Sequence, residues 1–177
     1  MKLEKELNNT QQYTSANTSI ATLNRIYKIL PNMGYNENSI ILDYGCGKYD
    51  KNKDYAIENN FEWVGYDPYN RSEEENNKTI QLIKEIEPDI IVCSNVLNVI
   101  KEDSAMMNVL NQIYNYAANN TDVYITIYEG NKSGVGSETS KGYQRNSKLN
   151  KYKDYICEWF DIIDTIKPNI IKCKKVA

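Results

Sequence analysis

The chain contains no histidine. That removes the commonest general base at neutral pH, and with it the Ser-His and Cys-His hydrolases. It also speaks against a structural zinc site. The four cysteines, Cys46, Cys93, Cys157 and Cys173, are scattered with no C-x-x-C pair, so reduced thiols, no metal and a cytoplasmic setting are expected. No apolar run approaches the roughly 20 residues that span a bilayer. The opening Met1-Lys2-Leu3-Glu4-Lys5-Glu6 lacks the pattern of a signal peptide, and no membrane partner is expected. A length of 177 residues, 41% hydrophobic and 25% charged, fits one globular core. Residues 1–17 are polar and read as a flexible arm, with a single domain over 18–177.

Two further absences narrow the ligand. Ile40-Ile41-Leu42-Asp43-Tyr44-Gly45-Cys46-Gly47 is a branched apolar run ending in two closely spaced glycines, which predicts a buried parallel strand and a close-approach loop. A dinucleotide fingerprint needs a glycine where Asp50 stands, and that acid would repel a pyrophosphate. A phosphate loop needs Ser or Thr after Gly47-Lys48, where Tyr49 stands. Asp67 lies 20 residues beyond Gly47, closing a second strand through Glu62-Trp63-Val64-Gly65-Tyr66. An acid there is placed for ribose hydroxyls at the strand C-termini of an open α/β sheet. Strand, Asp, x, Gly, x, Gly suits a ligand with a cationic amino-acid end and an adenosine end.

These residues resemble motif I (D-x-G-x-G) and the motif II acid of the class I S-adenosylmethionine-dependent methyltransferases. The family's usual third glycine is Tyr49 here. The resemblance implies a Rossmann-like, doubly wound α/β fold with a mostly parallel sheet and a C-terminal antiparallel hairpin. It implies S-adenosyl-L-methionine as cofactor, held by Asp43, Tyr44, Gly45, Gly47, Asp67, Pro68, Tyr69, Ser94 and Asn95. Tyr69 reads either as a ring covering an adenine or as an exposed turn residue. Pro88-Asp89-Ile90-Ile91-Val92-Cys93 reads as the next buried strand. It runs into Ser94-Asn95-Val96-Leu97, which resembles motif IV and puts Ser94 and Asn95 beside the methyl group. The short length and the Ser15–Ser19 and Tyr143–Asn146 runs resemble small phage or mobile-element proteins of this kind.

Elsewhere, Ile20, Leu23, Ile26, Tyr27 and Leu30 recur at helical spacing before Pro31, with Thr18 or Ser19 as cap; the segment before them reads as leader or lid. Residues 71–77 read as a charged, mobile connection, and 78–86 as either a third strand or a short helix. Residues 101–118 form an amphipathic helix, 123–128 a strand, 152–160 a last helix, and 161–174 a closing hairpin. The Gly/Ser/Lys-rich stretch 131–146 reads as a substrate loop or as disorder. Residues 1–140 carry 12 basic and 20 acidic side chains, and residues 141–177 carry 9 and 4. That basic C-terminal fifth reads as a face for nucleic acid or an anionic substrate, or as a solvated helix. Asn95, Tyr128, Glu129, Tyr143 and Arg145 are the candidates for orienting or deprotonating the acceptor. The expected activity is N- or O-methylation, by positioning, of a nucleic acid or a small molecule. A catalytically silent binder of the cofactor or of a partner is the alternative.

Overall fold

The computed structural model describes residues 16–166 and 168–176. Most of the flexible arm expected at 1–17 therefore lies outside the described residues. Among the described residues five α-helices, α1 (Arg25–Ile29), α2 (Lys51–Glu58), α3 (Glu73–Glu85), α4 (Asp103–Tyr116) and α5 (Leu149–Ile156), accompany eight strands. The strands are β1 (Ile40–Tyr44), β2 (Glu62–Tyr66), β3 (Ile90–Ser94), β4 (Asp122–Thr126), β5 (Ser137–Thr139), β6 (Gly142–Gln144), β7 (Phe160–Ile166) and β8 (Ile170–Lys175). Six of them form one sheet in the order β2-β1-β3-β4-β8-β7, and β5 and β6 form a separate hairpin. β2, β1, β3 and β4 are parallel, and β8 is antiparallel to both β4 and β7. This is the α/β, mostly parallel sheet with a closing antiparallel hairpin expected from the sequence.

Successive side chains of a strand face opposite ways, so each central strand feeds two cores. Leu42, Tyr44, Ile91, Cys93, Val123 and Ile125 pack with α4 and α5. Ile41, Ile90, Val92 and Tyr124 pack with Ile26, Tyr27 and Leu30 of the N-terminal region and Ala56 of α2. Fully burying one such isoleucine is worth about 1.5–3 kcal/mol, so these near-continuous apolar runs decide which strands lie centrally. The chain leaves β1 for β2 on one side and later returns to β3 on the other. The tips of β1 and β3 thus flank the switch point, where open α/β sheets leave a crevice.

Two expectations change. Residues 71–77 are not a mobile connection, and the choice left open over 78–86 falls to helix: 73–85 is one helix, entered through a capping box in which Ser72 Oγ accepts the Glu75 N–H and Glu75 accepts that of Ser72. Glu73, Glu74 and Glu75 suit the positive end of the helix dipole, and Asn76, Thr79, Ile80 and Ile83 face inward at helical spacing. With no strand there, β2 is the edge of the sheet. The first helix is also shorter than its periodicity implies. Ser19 does not cap it; its Oγ accepts the Lys48 N–H at 3.1 Å, and Ile20 stays exposed. The helix begins only after Asn24, whose own N–H donates to Asn52 Oδ1 at 3.0 Å.

Candidate functional site

β1 ends in a loop that doubles over the tip of β2: the Gly45 and Cys46 N–H groups both donate to the Tyr66 carbonyl, at 2.7 and 3.2 Å. Gly45 and Gly47 have φ of 79° and 72°, the left-handed region that side chains disfavour. Space is a second reason for glycine. A Cβ on Gly45 would lie 2.3 Å from Val96 Cγ2, and one on Gly47 would lie 2.4 Å from Ser19 Oγ. Val96 follows the β3 tip and Ser19 belongs to the N-terminal segment, so the glycines let both approach the bare loop. Burial pushes the Cys46 thiol well up, with the Asp43 carboxylate adding to the effect, so it stays protonated and is no nucleophile.

Asp67, 6% exposed, organises the second loop. Its Oδ1 accepts the N–H groups of Tyr69 and Asn70, each at 2.9 Å, and its Oδ2 accepts that of Gly47 at 2.8 Å. The last bond joins the β1 and β2 tips directly. Asn76 on α3 secures the loop, accepting the Asp67 N–H and donating to the Asp67 carbonyl, both at 2.9 Å. A buried asparagine on the inner stripe of a helix was the available signal for this clamp.

One cleft opens between these loops and the β3 tip. Tyr44, Gly45, Gly47, Asp67, Pro68, Tyr69, Ser94 and Asn95 all line it. Thr18, Ser19 and Thr22 close it from the N-terminal side, and Lys51 and Asn70 add polar groups unmarked by any motif. At the β3 tip Thr126 Oγ1 donates to Ser94 Oγ at 2.8 Å. Asn95 has φ of 58°, and its Oδ1 is buried without a hydrogen-bond partner. An orphan acceptor beside a cleft is a place for a ligand N–H or O–H.

Asp43 stands one layer below the cleft, 1% exposed, because strand alternation turns it toward α1 and α2. Its Oδ2 accepts the Tyr27 hydroxyl at 2.8 Å and Asn52 Nδ2 at 3.2 Å, and Trp63 Nε1 donates to Tyr27 in turn, at 3.0 Å. Burial pushes its carboxyl up to about 6 from 3.8, although the bonds from Tyr27 and Asn52 pull the other way. A raised acid favours the fold while protonated, and that advantage is lost as pH rises from about 4 through 6. Asp43→Asn mimics the protonated form. Its stability relative to the parent is therefore expected to improve by about 2–3 kcal/mol between pH 4 and pH 7 in urea unfolding, and a pH-independent difference would refute the buried charge.

The other expected acceptor-side residues stand outside the cleft lining. Glu129 Oε1 accepts the Leu149 N–H at 2.7 Å at the start of α5, which with Lys132 holds its carboxyl below the usual range. Arg145 donates to the carbonyls of Ile100 and Lys101 and pairs with Asp103 at 2.7 Å. Tyr128 is 59% exposed, its carbonyl bonded to Gln144 Nε2 at 3.0 Å. Tyr143 packs its hydroxyl on Gly136, with Lys101 Nζ 5.9 Å from its ring. The stretch around 131–146 is thus a hairpin pinned to the turn after β3.

The C-terminal lysines are committed as well. Lys172 and Lys174 pair with Asp122 at 2.8 and 3.4 Å, and Lys175 donates to the Ala117 carbonyl at 3.1 Å. Asp122 begins β4, so this cluster sits at the opposite end of the sheet from the cleft. Among the described residues no group of three or more His, Cys, Asp or Glu is placed to hold a metal. No helix among them is long and apolar enough to cross a membrane.

Solved structures share this architecture. One is a 1,6-didemethyltoxoflavin-N1-methyltransferase from Burkholderia thailandensis, with bound 1,6-didemethyltoxoflavin and S-adenosylhomocysteine; it is 13% identical, over 86% of this chain and 78% of that one, at a TM-score of 0.66. A S-adenosylmethionine-dependent methyltransferase from Clostridium acetobutylicum is 12% identical over 86% and 97%, at 0.53. A TehB-like one from Corynebacterium glutamicum is 13% identical over 85% and 86%, at 0.56. The fold is that of the class I methyltransferases. At this identity the likeness is one of fold, and no protein-family model or curated protein matches the sequence. Among the described residues no strand lies between β2 and β3, and α3 returns straight to β3.

Proposed function

We propose that this chain is an S-adenosylmethionine-dependent methyltransferase acting on a nitrogen or oxygen of a small-molecule acceptor. One observation carries the reading: the Gly47 N–H and the Asp67 carboxylate meet at 2.8 Å at the mouth of one cleft, at the switch point of a methyltransferase fold. The residues fit the cofactor. Gly45 and Gly47 line the cleft with Val96 and Ser19 filling their Cβ positions, so the loop backbone and these two neighbours together would receive the amino-acid end. A carboxylate has about four acceptor sites. Asp67 uses three on backbone N–H groups, and Asn70 Nδ2 reaches its two oxygens only at 3.3 and 3.4 Å, a long contact that a ribose hydroxyl would displace. When bound, S-adenosylmethionine supplies an activated methyl group.

The chain supplies position. Its cleft lining holds Lys51 and Asp67 as the charged side chains, with Ser94 and Asn95 as neutral polar groups at the β3 tip. The Asn95 Oδ1 acceptor is set to orient an acceptor N–H or O–H, and the N-terminal segment to exclude water. A small acceptor is favoured over a nucleic acid because the tail lysines are paired at the far end of the sheet.

S-adenosylhomocysteine at about a hundred times its dissociation constant should add about 2.7 kcal/mol, a rise in melting temperature of roughly 5–10 °C at this size. No rise at millimolar ligand would overturn the proposal. Incubation with S-adenosylmethionine and acceptor panels then separates an enzyme, which releases S-adenosylhomocysteine, from a silent binder, which does not.

A further inference from the structure

We propose that Arg71 is a positioning residue for the amino-acid end of the ligand, acting through Gly47 and Asp50; this rests on the reading of the cleft just given. Arg71 closes the loop that Asp67 opens. Its N–H donates to the Asp67 carbonyl at 3.2 Å, and its own carbonyl accepts Asn76 Nδ2 at 3.4 Å. Its side chain, 15% exposed, crosses to the glycine loop. There Nε donates to the Gly47 carbonyl at 3.0 Å and Nη2 to Asp50 Oδ1 at 2.8 Å. The guanidinium carbon lies 6.0 Å from the Trp63 ring centre.

Two consequences follow for the cleft. The first is geometric. Gly47 is held at both ends by one loop, its N–H by Asp67 and its carbonyl by Arg71, in a left-handed conformation that glycine alone would not keep. The pair fixes how far the bare backbone stands from the ribose acid.

The second is electrostatic. An aspartate before a helix ordinarily caps it by accepting N–H groups of the first turn. Asp50 precedes α2 and makes no such bond, because its carboxylate is turned onto Arg71. The acid that sequence logic set against a pyrophosphate is therefore neutralised on the side from which a ligand carboxylate would come. Lys51, next in the chain, lines the cleft. A guanidinium suits the task because its planar fork reaches two acceptors at once, which an ammonium at the same place does not.

The test compares two ligands by titration calorimetry: S-adenosylhomocysteine, and 5′-methylthioadenosine, which keeps the adenosine and sulfur but has no amino-acid end. Arg71→Met is expected to weaken S-adenosylhomocysteine by at least about tenfold and 5′-methylthioadenosine by no more than about threefold, the scale of a lost charge-assisted hydrogen bond. Adding Asp50→Asn to Arg71→Met should recover part of the loss, since it removes the unpaired acid. Arg71→Lys keeps the charge and guards against misfolding; its loss should fall between parent and Arg71→Met and show the same ligand selectivity. Equal weakening of both ligands, or of neither, would overturn the role of Arg71 while leaving the cleft reading intact. A parent that binds neither compound would overturn both.

Discussion

Asp67→Ala is expected to destabilise the fold by about 3–5 kcal/mol in urea unfolding and to abolish the thermal response to S-adenosylhomocysteine. The size follows from what the carboxylate holds: the N–H groups of Gly47, Tyr69 and Asn70 all donate to it from within 2.9 Å. Removing a buried acceptor strands its donors, at about 1–3 kcal/mol each before relaxation. At this chain length the melting temperature should fall by roughly 10 °C or more. Asp67→Asn keeps one acceptor oxygen and should lose less stability than alanine. A stability loss below about 1 kcal/mol for Asp67→Ala would mean that water replaces all three bonds, and that the acid serves ligand alone. The affinity lost in this variant includes displacement of the glycine loop, so it exceeds a single ribose contact.

Gly45→Ala should cost about 3 kcal/mol, from two separable sources. An L-residue at φ of 79° is strained by about 1–2 kcal/mol. The new methyl would also sit 2.3 Å from Val96 Cγ2, an overpacking of about 1–3 kcal/mol. Val96→Ala removes the obstacle but not the strain. In a double-mutant cycle the glycine substitution should therefore cost only about 1–2 kcal/mol in the Val96→Ala background. An unchanged cost there would assign the whole penalty to the backbone angle. Both variants bear on one geometry, the close approach of the β3 tip to the glycine loop.

The parts of the fold most legible in the sequence were those where a single physical cause dominates. Ile41-Leu42 and Ile90-Ile91-Val92 are buried on both faces, and a short branched apolar run admits little else. The glycine spacing and Asp67 marked the cleft because backbone conformation and charge act locally. Residues 78–86 were ambiguous because Ile80, Leu82, Ile83 and Ile86 satisfy both strand and helix periods. The capping box at Ser72 and Glu75 decides the matter, from within a stretch read only as charged. Arg71 was hidden for the same reason: a loop arginine gains meaning only when Gly47 and Asp50 come beside it. For Asp43 the motif was visible but the facing was not; alternation along β1 turns it toward Tyr27 and Asn52. Glu129 and Arg145 follow a strand tip in sequence, yet their charges fasten α5 and the turn before α4.

The placement of β8 sets an order on how the molecule is made. β8 lies between β4 and β7, yet both are synthesised before it. Until residues 170–175 emerge from the ribosome, β4 has one bare flank and β7 has no partner, so the parallel half can form while the sheet stays open. Insertion of that strand brings Lys172 and Lys174 onto Asp122 and shuts the gap. Nascent chains stalled before it would carry the whole glycine loop and the whole Asp67 loop on an unfinished scaffold.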